Sequence, residues 1–222
     1  MIYIIIILAV ISRFIPHMPN FAPITALAIF AAAYLPWKKA FGITFAVRFI
    51  SDIFLGFVSW PMMLVIYASH LVGILFGLWI KRDSSVIPTE PESNEGERRN
   101  PLSDAGLQVK RSLDSPSDAF RVARDDSKRR WLKIIWSSLT ASAIFFFATN
   151  FAFLYSNYPH NFSGIAQAYI NGLPFLRGTL MGDLFYTVAL FGGYEFVQYI
   201  FRVLRLRSGQ ASSRTNKILA SR

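Results

Sequence analysis

The segment Arg13-Phe-Ile-Pro-His-Met-Pro-Asn-Phe-Ala-Pro-Ile24, here named the lip, lies between two apolar runs without a charged residue. Its three prolines rule out a continuous helix, because proline lacks the backbone donor and clashes with the preceding turn. Irregular backbone at membrane depth is tolerated only where protein or water satisfies its polar groups. We therefore expect the lip to border a polar cavity in a membrane protein.

The composition of the whole chain is also that of a membrane protein. Hydrophobic residues make up 53% of the 222 residues, which is more than a typical soluble domain of this length contains. Ten of the 13 acidic residues lie between residues 83 and 126, so that only Asp52, Asp183 and Glu195 lie in the apolar remainder. A charge at the bilayer centre costs about 3 kcal/mol, so we expect these three acids to face a cavity or a partner.

The apolar runs predict an all-α fold, a polytopic membrane bundle of about six transmembrane helices. The two N-terminal helices are short or broken, since their runs fall below the roughly 20 residues of a perpendicular span. The expected helices are Ile2–Ile15, Pro23–Leu35, Ala40–Val58, Pro61–Ile80, Leu132–Tyr155 and residues 174–204. The expected regions are residues 1–80 with four helices, a cytoplasmic loop at 81–131, two helices at 132–205 with an external loop at 156–172, and a basic cytoplasmic tail at 206–222.

The positions of lysine and arginine predict the orientation. They flank the expected helices at Lys38 and Lys39, at Lys81 and Arg82, and after residue 201. Cytoplasmic loops carry such residues in excess, so both termini are expected in the cytoplasm and the lip outside. The formal net charge of +10 follows from this topology rather than from nucleic-acid binding.

The segment between residues 82 and 130 is rich in Ser, Pro, Asp, Glu and Arg and shows no sustained apolar period. This composition predicts a mostly disordered loop. Two alternatives remain open for its second half. Ser117–Lys128 has the spacing of a short helix, and Lys128-Arg-Arg-Trp131 has the charge to dock a partner or anionic lipid.

The rise per residue of an α-helix predicts which polar residues lie at the same depth in the membrane. Counted at 1.5 Å per residue from Lys39, Lys133 and Arg202, the side chains of Asp52, Asn150 and Asp183 reach the outer half of the membrane, near the lip. There the arginines would clamp acidic groups, the aspartates would accept hydrogen bonds and the asparagines would orient a small-molecule ligand. The expected ligand-binding residues are Arg13, His17, Asn20, Asp52, Asn150, Arg177 and Asp183.

Several of these charged residues have a purely structural alternative. Arg48 and Asp52 are four residues apart and could pair on one helix face. Asp183 could instead lie at a helix N-terminus. His70 is expected near mid-membrane as a neutral histidine bonded to backbone or a hydroxyl, with a proton relay as its rival. Glu195 could pair with Arg202 or with a partner protein.

Small residues recur at the spacing of closely packed helices, which predicts a compact bundle. These pairs are Ala28 and Ala32, Gly42 and Ala46, Gly73 and Gly77, and Gly178 and Gly182.

No enzymatic motif is present in the sequence. It contains no cysteine, no nucleotide-binding motif and no nucleophile elbow, and it predicts no metal site and no particular cofactor. A solute-binding or transport component is therefore the first hypothesis. The alternatives are a membrane enzyme that uses His17 or His160 with Asp183, and a scaffold that acts through the cytoplasmic loop.

Short strings around the expected site resemble an uncharacterised family of bacterial integral membrane proteins. They include the lip, Ser51-Asp52, Thr149-Asn150-Phe151, Tyr158-Pro159, Leu173-Pro174-Phe175 and Gly182-Asp183-Leu184. The resemblance covers roughly residues 11–56 and 145–192, whereas the loop at 82–130 has no counterpart and Met18 replaces an expected proline. It implies a location in the bacterial cytoplasmic membrane.

That family is similar, more distantly, to the substrate-binding S components of energy-coupling-factor vitamin transporters. This resemblance implies an outward-facing ligand pocket and two kinds of partner besides the lipid bilayer, a membrane coupling subunit and separate ATPases. The coupling subunit would meet the small-residue face at Ala28 and Ala32. Any ATP hydrolysis would belong to another chain, since no nucleotide motif occurs here.

Overall fold

A computed structural model describes residues 2–15, 20–84, 116–151, 155 and 157–220 of the chain. Within these ranges the protein consists of six α-helices and contains no strand, which confirms the expected all-α class. The helices are α1 (Ile2–Ser12), α2 (Ile24–Tyr34), α3 (Trp37–Leu55), α4 (Trp60–Ser84), α5 (Pro116–Thr149) and α6 (Phe162–Ala220).

Helix α2 lies at the centre of the bundle. It contacts each of the other five helices, and every residue from Ile24 to Ala33 is buried. Its sequence, ITALAIFAAAY, has no charged side chain on any face. A helix that is apolar all round is stable only when it is surrounded, so the remaining helices pack around this one.

Close contact between α2 and α4 depends on glycine. A Cβ atom on Gly73 would lie 3.2 Å from the Cβ of Ala28, and one on Gly77 would lie 2.6 Å from the Cβ of Ala32. The small residues of the two helices therefore face each other, as their spacing predicts. Because Ala28 and Ala32 are fully buried, this face is not open to the coupling subunit that the S-component resemblance implies.

Two helices in the described part of the chain have the length and composition to cross a membrane. They are Trp60–Arg82 within α4 and Arg124–Thr149 within α5. Helices α1 and α2 are apolar but span only 11 residues each, or about 16 Å at the helical rise. The arrangement of six transmembrane helices therefore remains a prediction.

Helices α5 and α6 begin well before their expected starts. Helix α5 begins at Pro116, inside the segment predicted as loop, and includes the alternative helix Ser117–Lys128. Proline is well suited to a first helical position because its missing donor has no partner there. Helix α6 begins at Phe162 rather than near Pro174, which lies inside it. The cause is Asn161, whose Oδ1 accepts from the Gly164 amide at 2.9 Å and caps the helix.

Candidate functional site

A cavity of about 240 Å³ lies between the lip and one end of the helix bundle. Five helices and the lip contribute to its wall, which combines cationic, acidic, hydroxyl and apolar side chains. Its lining residues are Arg13, Asn20, Ala22, Ile24, Thr25, Arg48, Leu55, His70, Phe145, Thr179 and Asp183.

The Arg48 guanidinium is fixed in this wall by a carboxylate behind it. Arg48 Nε donates to Asp52 Oδ2 at 3.0 Å, and its second terminal nitrogen lies 2.8 Å from Asp52 Oδ1. The Tyr67 hydroxyl donates to the same carboxylate at 3.1 Å, and Asp52 is only 3% exposed. The expected pair at four-residue spacing therefore forms. It leaves Asp52 behind the cavity wall while Arg48 reaches the cavity.

Arg13 and His70 bring hydrogen-bonding nitrogens to the cavity that have no partner among the described residues. Arg13 Nε is buried and unpaired, and so are both ring nitrogens of His70, a residue that is only 4% exposed. His70 thus lacks the backbone or hydroxyl bond expected for it, although its ring stacks on Phe145 with centroids 6.0 Å apart. Buried polar groups are nearly always paired, so these nitrogens are suited to bind a polar group that enters the cavity.

Asp183 supplies the acidic side of the cavity. It is 2% exposed, its Oδ2 is hydrogen-bonded to Ser142 Oγ at 2.6 Å, and it is also hydrogen-bonded to the Thr25 side chain. Asp183 lies in the middle of α6, so the alternative that it caps a helix N-terminus is wrong. Its partners come from α2 and α5, which places the carboxyl group at the junction of three helices.

The described C-terminal part of the lip, residues 20–24, packs directly against α6. A Cβ on Gly182 would lie 2.9 Å from the Cα of Phe21, so glycine is required for this approach. The Phe21 ring also packs on Tyr186, with centroids 5.5 Å apart. Asn20 adopts a left-handed φ of 62°, which asparagine tolerates better than most residues, and lines the cavity.

Two of the remaining expected site residues, Asn150 and Arg177, lie away from the cavity. Asn150 Nδ2 donates to the Phe146 carbonyl at 2.9 Å at the end of α5, and the side chain packs against Gly172. Arg177 is exposed on α6, and neither residue lines the cavity. His17 lies outside the described residues. The structure thus brings Arg13, Asn20 and Asp183 together as expected.

Sequence reasoning missed several residues of the cavity wall. Thr25, His70, Phe145 and Thr179 line it but were not in the expected set. Of these, His70 was the one that a signal in the sequence could have identified, because it is the only histidine within the expected transmembrane helices. The others are ordinary residues of membrane helices, and only the three-dimensional arrangement distinguishes them.

Basic and aromatic residues gather at the opposite end of the bundle. Arg130 donates to the Tyr34 hydroxyl at 2.7 Å and lies 3.6 Å from a Glu195 oxygen. Trp131 donates to the other Glu195 oxygen at 3.2 Å, and Lys81 donates to the Leu35 carbonyl at 2.9 Å. Glu195 therefore pairs with Arg130 of the same chain, and α2 connects this basic end to the cavity.

Comparison with known proteins gives a family match. The family of unknown function DUF6580 matches residues 1–90 and 119–204, which is most of the chain. The gap between the matched segments falls within the predicted cytoplasmic loop. No curated protein and no solved structure matches the chain.

Proposed function

We propose that this chain, which belongs to the DUF6580 family of unknown function, is an integral membrane protein whose cavity binds a small anionic solute. The observation that carries the proposal is the meeting of Arg13, Arg48 and His70 at one cavity, where Arg13 Nε and both His70 nitrogens lack a described partner. Guanidinium groups bind carboxylates and phosphates through paired hydrogen bonds.

The charge balance of the cavity favours an anion. Asp52 neutralises Arg48, whereas Arg13 forms no ion pair with a described residue. Asp183, the acid of the cavity wall, is hydrogen-bonded to Ser142 and Thr25 and pairs with neither arginine. A positive charge in a site of low dielectric constant is strongly stabilised by a bound negative charge. The volume of about 240 Å³ lies below the roughly 300–1,000 Å³ of pockets for drug-sized ligands, which favours a smaller solute.

The proposal includes the six-helix membrane topology with both termini in the cytoplasm of a bacterial cell. Its support is the separation of the cavity from the basic end at Lys81 and Arg130, because basic residues are enriched on the cytoplasmic side. Large exposed apolar side chains such as Phe54, Trp60 and Phe196 would then contact lipid. The short helix α2 need not span the membrane alone, since other helices surround it.

Topology is directly testable with reporter fusions. A topology reporter fused after Arg99 or after Arg222 should report a cytoplasmic position. The same reporter inserted at Asn161 should report an external position. The expectation follows from the basic residues beside the helices at one end of the bundle. An insertion at Asn161 that reports a cytoplasmic position would contradict the outward opening of the cavity.

A transport role is the more specific part of the proposal. The resemblance to S components suggests a substrate-binding protein that works with a membrane coupling subunit and separate ATPases. Because Ala28 and Ala32 are buried, such a subunit would contact another surface. A membrane enzyme would instead show turnover that requires His17 or a metal, and a scaffold would act through residues 81–131 alone.

Ligand-induced thermal stabilisation tests anion binding. The full-length protein in detergent is first tested with acetate and nicotinate, each compared with its neutral amide. It is then tested with a panel of vitamins and their precursors. We expect the carboxylates to raise the melting temperature and the amides to have little effect, since binding to the folded state alone stabilises it. Arg13→Gln should remove most of the rise.

Arg177→Gln is the matched control for this experiment. Arg177 is an exposed arginine that does not line the cavity, so the same substitution there should leave the carboxylate-induced rise in place. Equal loss in both variants, or an equal response to acid and amide, would argue against anion recognition by the cavity.

A further inference from the structure

Asp183 differs from the other two acids of the apolar helices in having no cationic partner. Asp52 pairs with Arg48, and Glu195 pairs with Arg130. Among the described residues, the hydrogen bonds of the Asp183 carboxyl group go to the side chains of Ser142 and Thr25. An ionised carboxylate that is 2% exposed and lacks a cation carries an effective penalty of several kcal/mol.

The hydrogen bonds of Ser142 give independent evidence on the state of this carboxyl group. Ser142 Oγ lies 2.6 Å from Asp183 Oδ2 and 3.0 Å from the Ser138 carbonyl oxygen. The hydroxyl has one proton, and the carbonyl can only accept. A protonated Asp183 donates to Ser142, which then donates to Ser138, and both contacts are satisfied. An ionised Asp183 would leave one contact without a proton.

The charged groups around the cavity indicate how the protonation of Asp183 affects the binding of an anion. Arg13, Arg48 and His70 line it with Asp183, while Asp52 and Tyr67 lie behind Arg48. The two guanidinium charges disfavour a third cation on His70, which leaves the carboxyl group as the proton acceptor. Once an anion occupies Arg13, an ionised Asp183 would face a like charge, whereas a neutral carboxylic acid would not.

We propose that Asp183 is a proton-binding site coupled to the anion site, so that the solute binds while Asp183 holds one proton. The proton comes from the solvent and adds to a carboxylate oxygen of Asp183. This inference rests on the proposed anion-binding function for the coupling, but the protonated state of Asp183 stands on the helix geometry alone. The proton held by Asp183 would then compensate the negative charge of the bound solute.

Infrared spectroscopy tests the protonated state without any ligand. The full-length protein in detergent at neutral pH should show the C=O stretching band of a protonated carboxyl group, and Asp183→Asn should lack it. Ser142→Ala should keep the band but shift its frequency, because the hydrogen bond to Oγ is lost. The control is Glu195→Gln, which removes an acid already paired with Arg130 and should leave the band unchanged.

The inference is overturned if the wild-type protein shows no such band, or if the band persists in Asp183→Asn. A band that does not respond to Ser142→Ala would also contradict its assignment to Asp183.

The coupling is tested with acetate as the probe anion. The acetate-induced rise in melting temperature should fall as the pH is raised and Asp183 loses its proton, with the affinity dropping by up to roughly tenfold per pH unit. Asp183→Asn should flatten this dependence. A rise that is independent of pH in the wild type would overturn the coupling alone. If the infrared band is present but acetate does not raise the melting temperature, anion binding is overturned and the proton-binding site at Asp183 stands.

Discussion

We expect Gly77→Ala to lower the free energy of unfolding by about 3 kcal/mol, the upper part of the range for overpacked cores. The added Cβ would lie 2.6 Å from the Cβ of Ala32 and 3.1 Å from the Ala33 amide nitrogen. Helix α2 cannot move away, because it is buried on all sides. Thermal or denaturant unfolding of the purified protein in detergent measures the loss.

Gly42→Ala is the matched control. Gly42 also lies within a helix, but a Cβ added there meets nothing within 4 Å. Alanine is favoured over glycine in helices by about 1 kcal/mol, so this variant should be unchanged or slightly more stable. If both variants lost the same stability, the close approach of α2 and α4 would not be the reason.

Asp52→Ala should destabilise the protein by up to about 3–5 kcal/mol, because it leaves the half-buried Arg48 guanidinium without its carboxylate. The Tyr67 hydroxyl loses its acceptor in the same variant. The double variant Arg48→Met with Asp52→Ala should recover much of this loss, since neither charge then remains. A double-mutant cycle on unfolding free energies isolates the pair. Losses that simply add in the double variant would show that the pair is not coupled.

The general fold could be predicted from the sequence because apolar runs and charges alternate clearly along it. The all-apolar sequence of α2 predicts burial, and the small residues of α2 and α4 predict their close contact. The ends of the longer helices could not be predicted in this way. Helix α6 begins twelve residues before the expected start at about Pro174. Asn161 caps the helix at this earlier start, and the chain remains helical through Pro174.

The candidate site was only partly predictable, because depth was counted from the wrong reference residues on α5 and α6. In the structure the pair of Arg130 and Glu195 marks the basic end of these helices. Asp183, twelve residues before Glu195, then lies about 18 Å above that level, and His70 lies about 17 Å above Lys81. The two residues share one layer, which explains why His70 lines the cavity.

The same count explains why Asn150 does not line the cavity. It follows Arg130 by twenty residues, or about 30 Å of helix, and lies beyond the layer of Asp183 and His70. There it caps the end of α5. Arg177 precedes Asp183 by less than two turns but points away from the cavity, a direction that residue spacing without known neighbours does not determine.

The most direct test of the central claim is a calorimetric titration of wild-type protein, Arg13→Gln and Arg177→Gln with the carboxylate that gives the largest thermal shift. A hydrogen bond between charged groups contributes about 1.5–3 kcal/mol, so Arg13→Gln should weaken binding roughly 10- to 100-fold. Arg177→Gln should bind as the wild type does. Equal dissociation constants for the wild type and Arg13→Gln would contradict the claim that this cavity binds an anion through Arg13.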